Sequence, residues 1–134
     1  RESGRSTQCV SNLRQLATAI LLATSEDKGR LPYAIYDNRS QPGGGRTLWM
    51  DTLQRVGVQW DSNGTDNRFE IKSSVYYCPS TRSDGANSAW AMHEPDYGVN
   101  TELMPDVFVG ANTPRPQRLL GSVPEPARVV LIAD

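Results

Sequence analysis

The chain has 134 residues, with 14 Lys and Arg against 15 Asp and Glu and a net charge of −1, one domain's worth of sequence. It lacks the basic excess that a phosphate backbone demands, which excludes nucleic acid as its main partner. Hydrophobic residues make up 37% and three Trp and five Tyr are spread along the chain, so it is expected to fold, and no apolar run approaches the roughly 20 residues that span a bilayer.

Apolar residues recur at Val10, Leu13, Leu16, Ala17, Ile20 and Leu21, the helical spacing of i, i+3, i+4, i+7. This predicts a helix from about Thr7 to about Ser25. Leu13, Leu16 and Ile20 form its packing face, and Arg14 and Gln15 point away from it. Glu26-Asp-Lys-Gly29 ends it, with Gly29 as the C′ residue. Its start carries no signal. Ser6 to Cys9 do not supply a Ser or Thr followed three residues later by Glu or Gln, the usual opening of a helix. Two readings stay open: a frayed N-terminal helix, or the later part of a longer helix that continues upstream.

Beyond it, Pro32 disfavours helical geometry at Leu31 and predicts an extended exit. Gln41-Pro-Gly-Gly-Gly-Arg46 reads as a flexible loop, because it lacks the Gly-Lys-Ser/Thr ending and preceding strand of a phosphate cradle. Thr47 is placed to cap a short second helix with Leu48, Trp49 and Leu53 on its buried side. Asp61-Ser-Asn-Gly-Thr-Asp-Asn-Arg-Phe-Glu70 sets oxygen-bearing side chains at alternate positions. Asp61, Asn63 and Asp66 are candidate calcium ligands, but the glycine falls fourth rather than sixth, and a polar turn explains the stretch as well. Three β-like runs follow: Ser74-Val-Tyr-Tyr-Cys78, Tyr97-Gly-Val-Asn100 and Arg128-Val-Val-Leu-Ile-Ala133. The last reads as a buried central strand. Pro105, Pro114, Pro116, Pro124 and Pro126 divide the remainder into loops. Residues 1–134 thus form a single α+β domain, with 1–26 as helix and 27–134 as a loop-rich sheet region.

Cys9 and Cys78 leave two readings open. One is a pair of unrelated buried thiols. The other is a disulfide that ties the helix to the Tyr76-Tyr77-Cys78-Pro79 run and implies an oxidising compartment. A small turn-rich core benefits from such a staple, which favours the disulfide. A zinc site wants four ligands in close pairs, and His93 is the one histidine, so metal is the weaker use of these thiols.

Catalytic arrangements are thin. Ser88, His93 and Asp96 sit near one another in sequence, but nothing resembles a nucleophile elbow and the segment reads as a proline-limited loop. Asp51, Asp61, Asp66, Glu70, Glu94 and Asp96 could be paired for glycoside chemistry only arbitrarily, since their separation is not written in the sequence. The expectation is no enzyme, no catalytic residue and no cofactor, with calcium as the sole candidate ion. Trp60, Trp90 and Tyr97 are the candidates if the chain is instead a binding module for carbohydrate or protein.

Cys9-Val-Ser-Asn-Leu-Arg-Gln-Leu16, Asp27-Lys-Gly-Arg-Leu-Pro32, Trp49 with Leu53, Tyr77-Cys-Pro-Ser80, Tyr97-Gly-Val-Asn100 and Val123-Pro-Glu-Pro-Ala-Arg-Val-Val-Leu-Ile-Ala-Asp134 follow one order along the chain. In that order they resemble bacterial pseudopilins similar to the G-type major pseudopilin of type II secretion (general secretion pathway protein G). More narrowly, they resemble type IV pilin-like proteins of the prepilin-type N-terminal cleavage and methylation family. The resemblance implies a pilin-like fold, a long N-terminal helix on a small antiparallel sheet with long loops. It further implies a cleaved leader, an inner-membrane anchor and a periplasm-facing or extracellular filament in which Leu13, Leu16 and Ile20 belong to the packing helix. The implied partners are other pseudopilin subunits and the protein-transport machinery. Calcium is held by the later part of the domain in G-type pseudopilins, but no residue of this chain matches that site.

Overall fold

The computed structural model describes residues 2–58, 74–76, 78, 97–110, 116–124 and 131–133. The helix α1 (Glu2–Glu26) takes 25 of them and is about 37 Å long at 1.5 Å per residue. It starts earlier than the expected Thr7. Its first turns bury no apolar side chain; their carbonyls accept from N–H groups four residues on, and the Thr7 hydroxyl adds one bond to the Ser3 carbonyl at 2.8 Å. At the other end Lys28 (φ 53°) and Gly29 (φ 82°) are both left-handed. The Gly29 N–H donates to the Thr24 carbonyl at 2.8 Å, a Schellman closure in which Lys28, not Gly29, is the C′ residue.

The buried stripe of α1 consists of Cys9, Asn12, Leu16, Ala19, Ile20, Ala23 and Thr24, with Leu13 and Ala17 partly buried along its edge. Val10 and Leu21, counted on the apolar face from spacing, are instead 45% and 43% exposed. At 100° per residue they lie about 100° and 120° from the mean direction of Leu16 and Ile20, too far round to reach the core. Arg14 and Gln15 are exposed, as expected. The buried polar groups of the stripe are bonded. The Thr24 hydroxyl donates to the Ile20 carbonyl at 2.7 Å, and Asn12 Oδ1 accepts from Gln8 Nε2 at 2.8 Å.

Against this stripe pack a second helix, α2 (Trp49–Gln54), a 3₁₀ turn at Ser74–Tyr76 and the strand β5 (Ile132–Ala133). Trp49, Met50, Leu53 and Tyr76 join Leu16 and Ile20 in one apolar cluster, and the Trp49 and Tyr76 rings meet edge to face with centroids 5.8 Å apart. Thr47 does not cap α2. It belongs to a strand, and the cap position falls to Leu48, whose backbone N–H donates to Asp51 Oδ2 at 2.6 Å. The Ser74–Cys78 run is not a strand where it is described. Among the described residues no strand lies beside it to complete a ladder, so Tyr76 and Cys78 take their burial from packing rather than from pairing.

Three strands form a mixed sheet in the order β2-β1-β4: β1 (Ile35–Asp37), β2 (Arg46–Leu48) and β4 (Asp106–Phe108). β1 runs antiparallel to β2, with Tyr36 opposite Thr47, and parallel to β4, with Tyr36 opposite Val107. This corrects the expected all-antiparallel sheet. β1 and β2 are hairpin neighbours and must be antiparallel, whereas the long excursion before β4 frees it to enter in either direction. A separate antiparallel ladder joins β3 (Gly98–Val99) to β5. Residues 128–130 of the run expected as a central strand, Val130 among them, lie outside the described residues. After α1, the Leu31 N–H donates to the Arg118 carbonyl and the Leu120 N–H to the Gly29 carbonyl, at 2.9 and 2.8 Å, which lays 116–120 beside the helix exit.

Hydrogen bonds cross the glycine loop between β1 and β2. Asn38 Oδ1 accepts from the Gly45 N–H at 2.6 Å, and a Cβ at Gly44 would collide with the Asn38 carbonyl. At its mouth Asp37 accepts from Arg39 through Nη2 at 2.6 Å and through the backbone N–H at 3.1 Å. These bonds hold the Asp37 carboxyl below the usual carboxylate range.

Leu16→Ala should lower unfolding free energy by about 2–5 kcal/mol in a urea titration, while Arg14→Ala on the exposed side should change it by less than about 0.5 kcal/mol. Because the folded pKa of Asp37 is depressed, its contribution to stability is present above the unfolded value of about 3.9 and is lost as pH falls through the folded value. In Arg39→Gln the Asp37 carboxyl should titrate closer to 3.9 by carbon-detected NMR.

Candidate functional site

The two cysteines are brought together. Cys9 and Cys78 are joined at disulfide distance with Cα atoms 4.7 Å apart, both buried. The bond fastens the second turn of the described helix to Cys78, two residues past the 3₁₀ turn. Tyr97, 1% exposed, leans on the same place, its hydroxyl donating to the Cys9 carbonyl at 3.4 Å. That burial removes Tyr97 from any surface and with it one of the three aromatics expected to meet a carbohydrate. Trp60 and Trp90 lie outside the described residues, as do Ser88, His93, Asp96, Glu70, Glu94 and the calcium candidates Asp61, Asn63 and Asp66. Asp51 is committed to the start of α2. Among the described residues no three His, Cys, Asp or Glu side chains converge on a point that could hold a metal.

The helix expected to carry filament contacts presents two surfaces. From Cys9 onward Leu16 and Ile20 are buried, and Leu13 is packed at the edge of the core. Leu16 and Ile20 hold the domain to the helix with no exposed surface of their own. The available surface is elsewhere. Residues 3–8 are exposed on every side of the helix, and beyond them Val10, Leu21 and Leu22 leave large apolar side chains 45%, 43% and 49% exposed. Spacing alone could not separate these from the core set, since both are apolar and both recur at helical intervals.

At the far end of α1 a cleft of about 360 Å³ opens where the helix terminus, the β1–β2 face and α2 converge. Ala23, Glu26 and Asp27, at i, i+3 and i+4, contribute the helix side. Tyr36 and Thr47, register partners across β1 and β2, contribute the sheet side. Thr52 and Arg55 rise from the last turn of α2, and Arg30 and Gln117 come from the two chain segments that pair beside the helix exit. The Tyr33 and Tyr36 rings lie 5.5 Å apart at 31° and form the cleft's aromatic wall. The last turn of α1 carries no basic residue, so Glu26 and Asp27 stand at the negative end of the helix dipole, an unfavourable placement that costs about 0.3–1 kcal/mol per charge. Arg30 and Arg55 balance them in charge. Among the described residues the ion pair that forms is Arg39–Asp37, outside the cleft, so its own four charged groups are not paired within it. Sequence reading missed this site because its residues come from five separate segments.

No helix among the described residues is long and apolar enough to cross a membrane. The chain matches no family model, no curated protein and no solved structure.

The disulfide has a direct test. Titration of the denatured, unreduced protein with a thiol reagent should find no free thiol, and two titratable thiols would rule the bond out. Reduction should cost about 4 kcal/mol of stability, since the closed loop is long and its entropy is released to the unfolded chain.

Proposed function

We propose that this protein is a non-enzymatic subunit of a pilin-like filament, of the kind that serves type II protein secretion or a type IV pilus, anchored in the inner membrane and facing the periplasm. One observation carries the reading: a 25-residue helix is bolted to a loop-rich domain from Cys9 onward, while residues 3–8 before it are each exposed. A helix gains most of its stability in water from tertiary packing. A helical segment whose residues are all exposed is suited to packing against something else, and a bundle of like helices is the simplest such partner. Val10, Leu21 and Leu22 add exposed large apolar side chains further along the same helix. The disulfide supports an oxidising compartment, and the sequence resemblance supports the filament class. In this role the domain performs no chemistry. The helix supplies the polymer contacts and the domain faces neighbours or cargo.

The full-length gene product should fractionate with membranes in its host and be released by detergent. A photo-crosslinking residue at Val10 or Leu22 should yield a ladder of covalent oligomers, whereas one at Arg46, away from the helix, should not. The 134-residue chain alone should be monomeric at micromolar concentration by sedimentation. A full-length product that is wholly soluble and yields no crosslinked ladder would overturn the reading.

A further inference from the structure

The cleft at the C-terminal end of α1 is a binding site for a neutral carbohydrate, we propose, with Tyr33 and Tyr36 as its stacking wall and Arg30, Arg55, Glu26 and Asp27 as its hydrogen-bonding rim. This goes beyond the filament reading and does not depend on it.

Three properties point to the ligand's chemistry. The first is charge. Two carboxylates and two guanidiniums line one opening of about 360 Å³, so their formal charges cancel. A phosphate or nucleotide would meet Glu26 and Asp27 and the negative end of the helix dipole. A divalent cation would meet Arg30 and Arg55, and no third acidic or imidazole ligand joins Glu26 and Asp27 among the described residues. A neutral ligand meets neither obstacle.

The second is the polar inventory. Carboxylates offer acceptors only and guanidiniums offer donors only, whereas a sugar hydroxyl donates and accepts at once. Adjacent hydroxyls on a pyranose ring can thus bridge a carboxylate and a guanidinium that are not bonded to each other. Among the described residues the ion pair formed is elsewhere, at Arg39–Asp37, which leaves the rim groups open to such bridging. Hydrogen bonds to charged groups are the stronger kind. Thr47 and Thr52 add hydroxyls of their own.

The third is the aromatic wall. The Tyr33 and Tyr36 rings, with centroids 5.5 Å apart and tilted by 31°, both line the cleft and bring negative π-density to it. The C–H face of a pyranose is apolar and slightly positive and fits such a surface, which a tripeptide backbone does not require. The cavity lies at the small end of ligand sites, which run from about 300 to 1,000 Å³, and has room for one or two sugar rings.

The test is an NMR titration of the ¹⁵N-labelled 134-residue protein with maltotriose, cellotriose and chitotriose, with inorganic phosphate and triglycine as comparators. At least one trisaccharide should bind saturably at millimolar concentration or below, with shifts centred on Tyr33, Tyr36, Thr52 and Arg55. Tyr33→Leu, which keeps bulk but removes the ring face, and Arg55→Gln, at an exposed position, should each weaken it by about tenfold, equivalent to 1.4 kcal/mol. Arg14→Gln, on the outer face of α1, should leave it unchanged. No shift with any trisaccharide, binding centred elsewhere, undiminished binding in Arg55→Gln, or phosphate or triglycine occupying the cleft instead would each overturn the proposal.

Discussion

Strands of two or three residues cannot hold a domain together through ladder hydrogen bonds, and the burial of one narrow face of α1 supplies the cohesion they lack. Leu16 and Ile20 sit at its centre with no exposed surface, and Ala19, Ala23 and Thr24 beside them are small enough to bring the helix close to α2, the 3₁₀ turn and β5. The Cys9–Cys78 bond acts on the same contact. It pins the 3₁₀ turn, which no ladder secures among the described residues, to the beginning of the packed stretch. Packing and covalent linkage therefore converge on one interface, and each strengthens the case for the other: a bridge is useful where the core is small.

The interface tolerates an unusual polar group. Tyr76 is fully buried, and among the described residues its hydroxyl has no hydrogen-bond partner. Burial, with a smaller contribution from Asp51, pushes the phenol well above its ordinary pKa, so it remains neutral. An unbonded buried hydroxyl costs about 1–3 kcal/mol. The ring repays it by filling space between Trp49 and the helix, where its edge-to-face contact adds to the area it hides from water.

The two surfaces with functional character lie at opposite ends of α1. The exposed residues 3–8 precede the disulfide. The cleft forms around Ala23, Glu26 and Asp27, about 20 Å or more away along the axis at 1.5 Å per residue. A contact made by the first would not obstruct the second. The helix is the rigid element that separates them, and the Schellman closure at Lys28 and Gly29 turns the chain back so that Arg30, Tyr33 and Gln117 can reach its end.

What was legible in the sequence was what depends on neighbours along the chain. The α1 periodicity, its termination near Gly29, the short helix around Trp49 and the burial of Leu16, Ile20 and Leu53 all follow from spacing, because a helix converts sequence interval directly into direction. That conversion fails at the edges. Val10 and Leu21 share the apolar interval with the core, and only the partners that arrive from elsewhere decide which side of the stripe is covered. Strand direction was undetermined for the same reason, since nothing in Asp106–Phe108 records whether β4 will enter parallel or antiparallel to β1. Tertiary structure alone decided that Val75 and Tyr76 would curl into a 3₁₀ turn, that Tyr97 would be hidden behind Cys9, and that residues from five separate segments would meet around Tyr33 and Tyr36. The physical reason is common to all three. Hydrophobic burial has no direction of its own, so a short or isolated apolar residue takes whatever geometry the assembled core leaves for it.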